Sequence, residues 1–171
     1  ITVSYFSACE HDAADLVEYL TSADSGANPN GYIDWAKKRK ENGHLLPYNN
    51  VKYFEIGNED WHGDHRNIKA VSPKEYARKY LMDYEVMKAV NPEIKIGVIL
   101  YEADWDKAVL DIVRDKVDFG IVHTYPAPMV QVKDLQRMKA KDIFEISLGL
   151  PLFRDEPYFQ NLLKLLREKS G

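Results

Sequence analysis

VKYFEIGNEDWHGDHRN, residues 51–67, is the stretch on which the reading of this chain turns. Its first half, VKYFEIG, has the β-branched and aromatic content of a strand. The strand runs directly into Gly57-Asn58-Glu59 and then into Asp60, Trp61 and His62. A carboxylate delivered to the end of a buried strand, with aromatic and imidazole groups behind it, has the layout of a site built at a strand terminus.

Working outward, the same strand-then-helix pattern repeats. ITVSYF (Ile1 to Phe6) reads as a strand, and EHDAADLVEYL (Glu10 to Leu20) places Ala13, Leu16, Val17 and Leu20 on one helical face. SGANPN is a turn-rich loop, and Tyr32 to Asn42 is expected to form a short polar helix ending near Gly43. After residue 67, Ser72, Pro73 and Glu75 compose a capping box that opens a long helix. Tyr76, Tyr80, Met87 and Val90 fall near one face of that helix, and Asn91-Pro92 ends it. IKIGVIL (Ile94 to Leu100) is a nearly all-apolar, buried strand. Trp105 to Arg114 is a helix with Val109, Ile112 and Val113 inward, and VDFGIVHTYP (Val117 to Pro126) is a fourth strand. Pro157 to Lys169 is an amphipathic helix.

Four strands, each followed by a helix, imply parallel βαβ units. A doubly wound sheet and a (β/α)8 barrel both accept that pattern. No glycine-rich phosphate-binding pattern follows any strand, which weakens the nucleotide-binding sheet. The strand ends carry Asn58-Glu59, Tyr101-Glu102 and His123 to Tyr125, and barrels gather functional side chains at just that end. A complete barrel needs about 250 residues, so 171 residues with four strands are read as a partial α/β TIM barrel, one fragment of a single catalytic domain spanning residues 1–171.

Composition narrows the function. The chain is 45% hydrophobic with 23 basic and 27 acidic residues, a net charge of −4. There is no basic excess to neutralise phosphates, so no nucleic-acid partner is expected. No apolar run approaches the roughly 20 residues that span a bilayer, so no membrane partner is expected either. The opening ITVSYFS is already strand-like, and the lack of a leader there says little about compartment. Cys9 is the only cysteine, which leaves no internal disulfide and no cysteine zinc site. A nucleophilic Cys9 would have only His11 nearby as a base; a small packing residue is the simpler reading.

Glu59 is the leading general acid/base candidate, because partial desolvation past an apolar strand would raise its pKa toward the working pH. The competing reading is a capping or salt-bridging glutamate at a loop start. KYFEIGNE resembles the acid/base motif of clan A retaining glycoside hydrolases, most closely the family 51 α-L-arabinofuranosidases, in which an Asn-Glu pair ends the fourth barrel strand. DAADLVEYL resembles the segment after that family's third strand, and VDFGIVHTYP its sixth. The resemblance implies Glu59 as acid/base, Asn58 as the contact to the sugar 2-hydroxyl, His123 as a sugar-subsite residue and Tyr125 as the residue that orients the nucleophile. It implies a carbohydrate substrate and no metal or other cofactor.

Retaining hydrolysis needs a second carboxyl about 5–5.5 Å from the first. By the family's segment order that nucleophile ends the seventh strand, which is expected just beyond Gly171. Glu145 in DIFEISLG is an internal substitute, but it lacks the expected sequence context and precedes the helix that should come first. The stretch Ile143 to Phe153 is instead expected to be a loop elaboration with a packed apolar side. Glu55 is expected to alternate outward or pair within the barrel, and Glu102 is a conceivable substrate contact. His62 and His65, with Asp60 and Asp64 nearby, offer zinc-type ligands, yet the loop around Gly63 does not supply the helical spacing of a zinc protease. Trp61 is placed either to stack on a sugar or to pack against the barrel rim; Trp35 and Trp105 read as core or rim.

The expectation is thus a glycosidase fragment that carries the acid/base glutamate and lacks the nucleophile, inactive by itself. Its open sheet edges and uncovered apolar interior predict association with the remaining barrel segments or with a second copy. Two rivals remain: a non-catalytic carbohydrate-binding or scaffolding barrel segment, which needs no second carboxylate, and an open-sheet domain, whose strand order would reverse.

Overall fold

The computed structural model describes the chain except residues 27, 29–30, 64–68, 124–135, 151–154 and 170–171, and the side chains of 147, 149, 150 and 169. It divides into two compact parts, Ile1–Ile121 and Val122–Gly171.

The sheet is made of β1 (Thr2–Val3), β2 (Tyr53–Ile56), β3 (Lys95–Leu100) and β4 (Phe119–Val122), in the order β1-β2-β3-β4. β1 pairs parallel with β2, Thr2 opposite Glu55, and β2 pairs parallel with β3, Glu55 opposite Gly97. Spatial order follows chain order without a reversal, as in a barrel wall and unlike a doubly wound sheet. The strands are shorter than the apolar runs that signal them. β1 stops at Val3 because its partner turns away: Gly57 N–H still bonds the Val3 carbonyl at 2.9 Å, and β2 has ended at Ile56. The chain instead turns at Ser4, whose hydroxyl meets that of Ser7 at 2.6 Å.

Four helices accompany these strands: α1 (Glu10–Thr21), α2 (Trp35–Glu41), α3 (Pro73–Val90) and α4 (Ala103–Val113). Phe54 and Ile56 of β2 are buried, and so is β3 from Ile96 to Leu100. They share the core with Ala13, Val17, Tyr76, Tyr80, Met87, Trp105, Val109 and Val113. Trp105 is therefore core, and Ile112 is half-buried. α3 begins as its sequence predicts: Ser72 Oγ accepts from Glu75 N at 3.3 Å, and the Glu75 carboxylate accepts from Ser72 N at 3.1 Å. Glu55 pairs within the sheet, accepting from Thr2 Oγ1 at 2.6 Å. Cys9 caps α1, its N–H bonded to the Asp12 carboxylate at 2.8 Å.

The polar helix α2 holds a feature its composition hides. Arg39 is fully buried and donates to the carbonyls of Tyr19 (2.8 Å) and Ser22 (2.7 Å) at the end of α1. In return Glu18 of α1, also fully buried, accepts from Trp35 N at 3.1 Å at the start of α2. Each helix thus supplies the charge that complements the other's terminal dipole.

α3 is tied to the sheet by two tyrosines one turn apart. Tyr76 OH donates to the Ile56 carbonyl at 2.7 Å and accepts from Ile99 N at 2.9 Å. Tyr80 OH donates to the Ile96 carbonyl at 3.2 Å. All of these groups are buried, so burial raises both phenols well above the usual tyrosine range.

The second part contains α5 (Ala140–Leu150) and α6 (Glu156–Lys169). α5 corrects the expectation of a loop over Ile143 to Phe153. DIFEISLGL is β-branched in places, but Lys141 and Glu145 stand one helical turn apart and meet at 3.5 Å, and no strand pairs with the segment among the described residues. Among the described residues no helix is long and apolar enough to cross a membrane.

Tyr76→Phe removes one hydroxyl and leaves two buried backbone groups unpaired. The expected loss is about 1–3 kcal/mol of unfolding free energy, read as a lower urea midpoint at unchanged slope.

Candidate active site

At the end of β2 the chain changes direction within three residues. Gly57 has φ 85°, and Glu59 follows with φ 54° and ψ 34°, the left-handed region that a glutamate rarely occupies. Asp60–His62 then makes one 3-10 turn, closed by Gly63 at φ 72°. The Asp60 carbonyl accepts from Gly63 N at 3.2 Å and from Val71 N at 3.0 Å, which pins the turn to the segment ahead of α3.

This turn keeps Asn58 and Glu59 at the surface and sends Asp60 inward. Asn58 is exposed, and Glu59 keeps 19% of its side-chain surface, with Oε2 2.9 Å from His62 Nε2. That hydrogen bond raises the His62 pKa above its ordinary value. Asp60 goes inward and is 1% exposed. A Cβ at Gly57 would stand 1.8 Å from Asp60 Oδ2 and 3.4 Å from the Tyr76 ring, so glycine is required there by space as well as by φ. Burial lifts the Asp60 pKa to about 6, against the pull of the Asn58 backbone N–H and the His62 ring.

Trp61 lies flat on Tyr101, ring centroids 4.5 Å apart at 9°, with its edge toward Trp105 at 6.1 Å. Tyr101 is 47% exposed at the end of β3, and its N–H is held at 2.7 Å by the buried Asp106 carboxylate. Glu102 is exposed at the N-cap of α4 without a capping bond from its side chain. Asn58, Glu59, Trp61, His62 and Tyr101 therefore share one end of the sheet. The sequence singled out Tyr101 only by its strand-end position; its register with Trp61 comes from the turn.

His123 follows β4 and is half-buried in the second part of the chain; Tyr125 lies outside the described residues. His65 and Asp64 of the zinc reading also lie outside them, and His62 directs Nε2 at Glu59. Among the described residues no group of three or more ligating side chains is disposed to hold a metal. Glu145 is 61% exposed on α5, paired with Lys141.

Residues 2–142 match the family described as the alpha-L-arabinofuranosidase 1 domain. The chain belongs to that family. It is 32% identical over 123 residues to an intracellular exo-alpha-(1->5)-L-arabinofuranosidase of Halalkalibacterium halodurans, a match covering 66% of this chain and 22% of that protein. The GH51 alpha-L-arabinofuranosidase of Thermotoga petrophila superposes with a TM-score of 0.60 at 27% identity, over 72% of this chain and 24% of that one. The arabinofuranosidase of Thermotoga maritima, solved with arabinose, gives a TM-score of 0.74 at 21% identity, over 99% of this chain and 31% of that one. The chain thus covers part of a (β/α)8 barrel and spans between about a fifth and a third of the length of these relatives.

Two outcomes follow from the turn. Gly57→Ala is expected to lower the thermal midpoint, since the new methyl must displace the Asp60 carboxylate and hold a positive φ. Because the folded pKa of Asp60 is raised, its contribution to stability is present in acid and lost as pH rises through about 6. Unfolding midpoints measured from pH 4 to 8 should show that decline in the parent and a flatter profile in Asp60→Asn.

Proposed function

We propose that this arabinofuranosidase-family chain supplies the general acid/base, Glu59, of a retaining glycoside hydrolase that releases terminal arabinofuranose. The observation that carries the reading is the left-handed backbone of Glu59 at the end of β2, which sets its carboxylate at the mouth of the sheet beside His62 and near the Trp61–Tyr101 stack. Strained conformations of this kind persist where neighbouring structure over-determines them, and they concentrate at functional sites. Family membership and the exo-acting relative support arabinofuranose as the sugar.

In this reading protonated Glu59 gives its proton to the leaving oxygen as the glycosidic bond breaks, then takes one from the water that releases the sugar. Asn58, exposed next to it, bonds the sugar 2-hydroxyl. Trp61 and its Tyr101 partner offer aromatic surface to the substrate; by the family resemblance His123 is a sugar-subsite residue and Tyr125 the residue that orients the nucleophile. The carboxylate nucleophile comes from chain beyond Gly171.

A second reading draws on the Trp61–Tyr101 stack beside exposed Asn58: a carbohydrate-binding segment that performs no chemistry. Arabino-oligosaccharide hydrolysis separates the two. In the complete gene product carrying Ile1–Gly171, Glu59→Gln should lower turnover by about 10²–10⁴-fold while arabinose binding by calorimetry persists. Unchanged turnover in that variant overturns the acid/base role. Glu59-dependent turnover by residues 1–171 alone overturns the external nucleophile.

A further inference from the structure

Asp60 is the most costly residue in the turn. It is 1% exposed, yet Oδ2 has no hydrogen-bond partner among the described residues. A buried carboxylate oxygen left unpaired is unfavourable, and an apolar side chain of similar volume would fill the same space at lower cost. Three features nevertheless converge on this one group. Gly57 gives up its side chain to admit it, with Oδ2 only 1.8 Å from the vacated Cβ position. The backbone N–H of Asn58 is drawn to its carboxylate. Its own carbonyl is gripped by Gly63 and Val71. Residues 57, 58 and 60 are thereby locked together, and Glu59 is the residue between them.

We propose that Asp60 is the positioning residue for Glu59: its inward carboxylate holds Gly57 and Asn58 in the turn and so forces Glu59 into the left-handed conformation that aims its side chain outward. With Asp60 seated, the Glu59 φ of 54° follows from closure of the turn, and the Glu59–His62 bond follows from that. Without the acceptor at residue 60, the Asn58 N–H is released and Glu59 relaxes toward the β or right-handed α region, swinging its carboxylate away by ångströms. Among the described residues, the titratable groups that interact with Asp60 are the Tyr5 and Tyr76 phenols and the His62 ring, and none of them supplies Oδ2 with a bond.

The inference rests on Glu59 being the acid/base, and leaving-group dependence tests both while keeping them apart. A poor leaving group needs the proton from Glu59; a 2,4-dinitrophenolate does not. In the complete gene product, kcat/KM is compared on phenyl and 2,4-dinitrophenyl α-L-arabinofuranosides. Asp60→Ala should lose about 10²-fold on the phenyl substrate and under about 3-fold on the dinitrophenyl one. Asp60→Asn, which keeps an acceptor for Asn58, should restore the parent ratio. Asp60→Leu, which keeps volume but not the acceptor, should behave as Ala and serves if the Ala variant does not fold. Equal losses on both substrates, or failure of both Ala and Leu variants to fold, assign Asp60 to stability alone and overturn the proposal. If Glu59→Ala itself shows no leaving-group discrimination, the acid/base reading fails; if it does and Asp60→Ala does not, only the positioning role fails.

Discussion

The hydroxyl of Tyr76 holds this arrangement together. It sits where β2 ends, donating to the Ile56 carbonyl and accepting from the Ile99 amide, in a place closed to water. Inside a parallel sheet every backbone group at a strand end needs a partner, and water cannot reach these two. One side chain on α3 answers for both strands. It also fixes the height at which β2 releases the chain into Gly57, with the Tyr76 ring forming the floor under that glycine. The capping box at Ser72 and Glu75 sets where α3 begins, and hence where Tyr76 stands.

Above that floor the site is assembled from short-range parts. The turn from Gly57 to Gly63 carries an outward carboxylate, an inward one and an indole, and β3 contributes the tyrosine on which the indole lies. The inward Asp60 and the outward Glu59 differ in burial only one residue apart, and burial raises the Asp60 carboxyl above its ordinary value.

Much of this was legible in the sequence. Strand-then-helix alternation, the Ser72–Glu75 cap and the apolar run at β3 each reflect local physics, and each appears where the residues place it. The Gly57-Asn58-Glu59 motif carried the family likeness. What escaped was decided by tertiary partners. The ends of β1 depend on where β2 turns, so six strand-like residues yield a two-residue strand. Nothing in the helical patterns singles out Glu18 or Arg39, whose burial follows only when two helix termini are brought together around them. DIFEISLGL looked irregular because its β-branched content conflicts with helical spacing, and the helix prevailed. Asp60 read as a zinc-type ligand; nothing local says that it points inward, because that depends on a missing side chain three residues earlier.

The left-handed backbone at Glu59 has a consequence for descent. Glycine or asparagine would occupy that φ and ψ with less strain than glutamate. Selection for a sturdier fold alone would therefore push residue 59 away from glutamate, and a lineage that kept the fold after losing the chemistry would be free to make that exchange. In the acid/base reading proposed above, the glutamate at this position is kept for its carboxylate at the cost of a left-handed backbone that other residues adopt more easily.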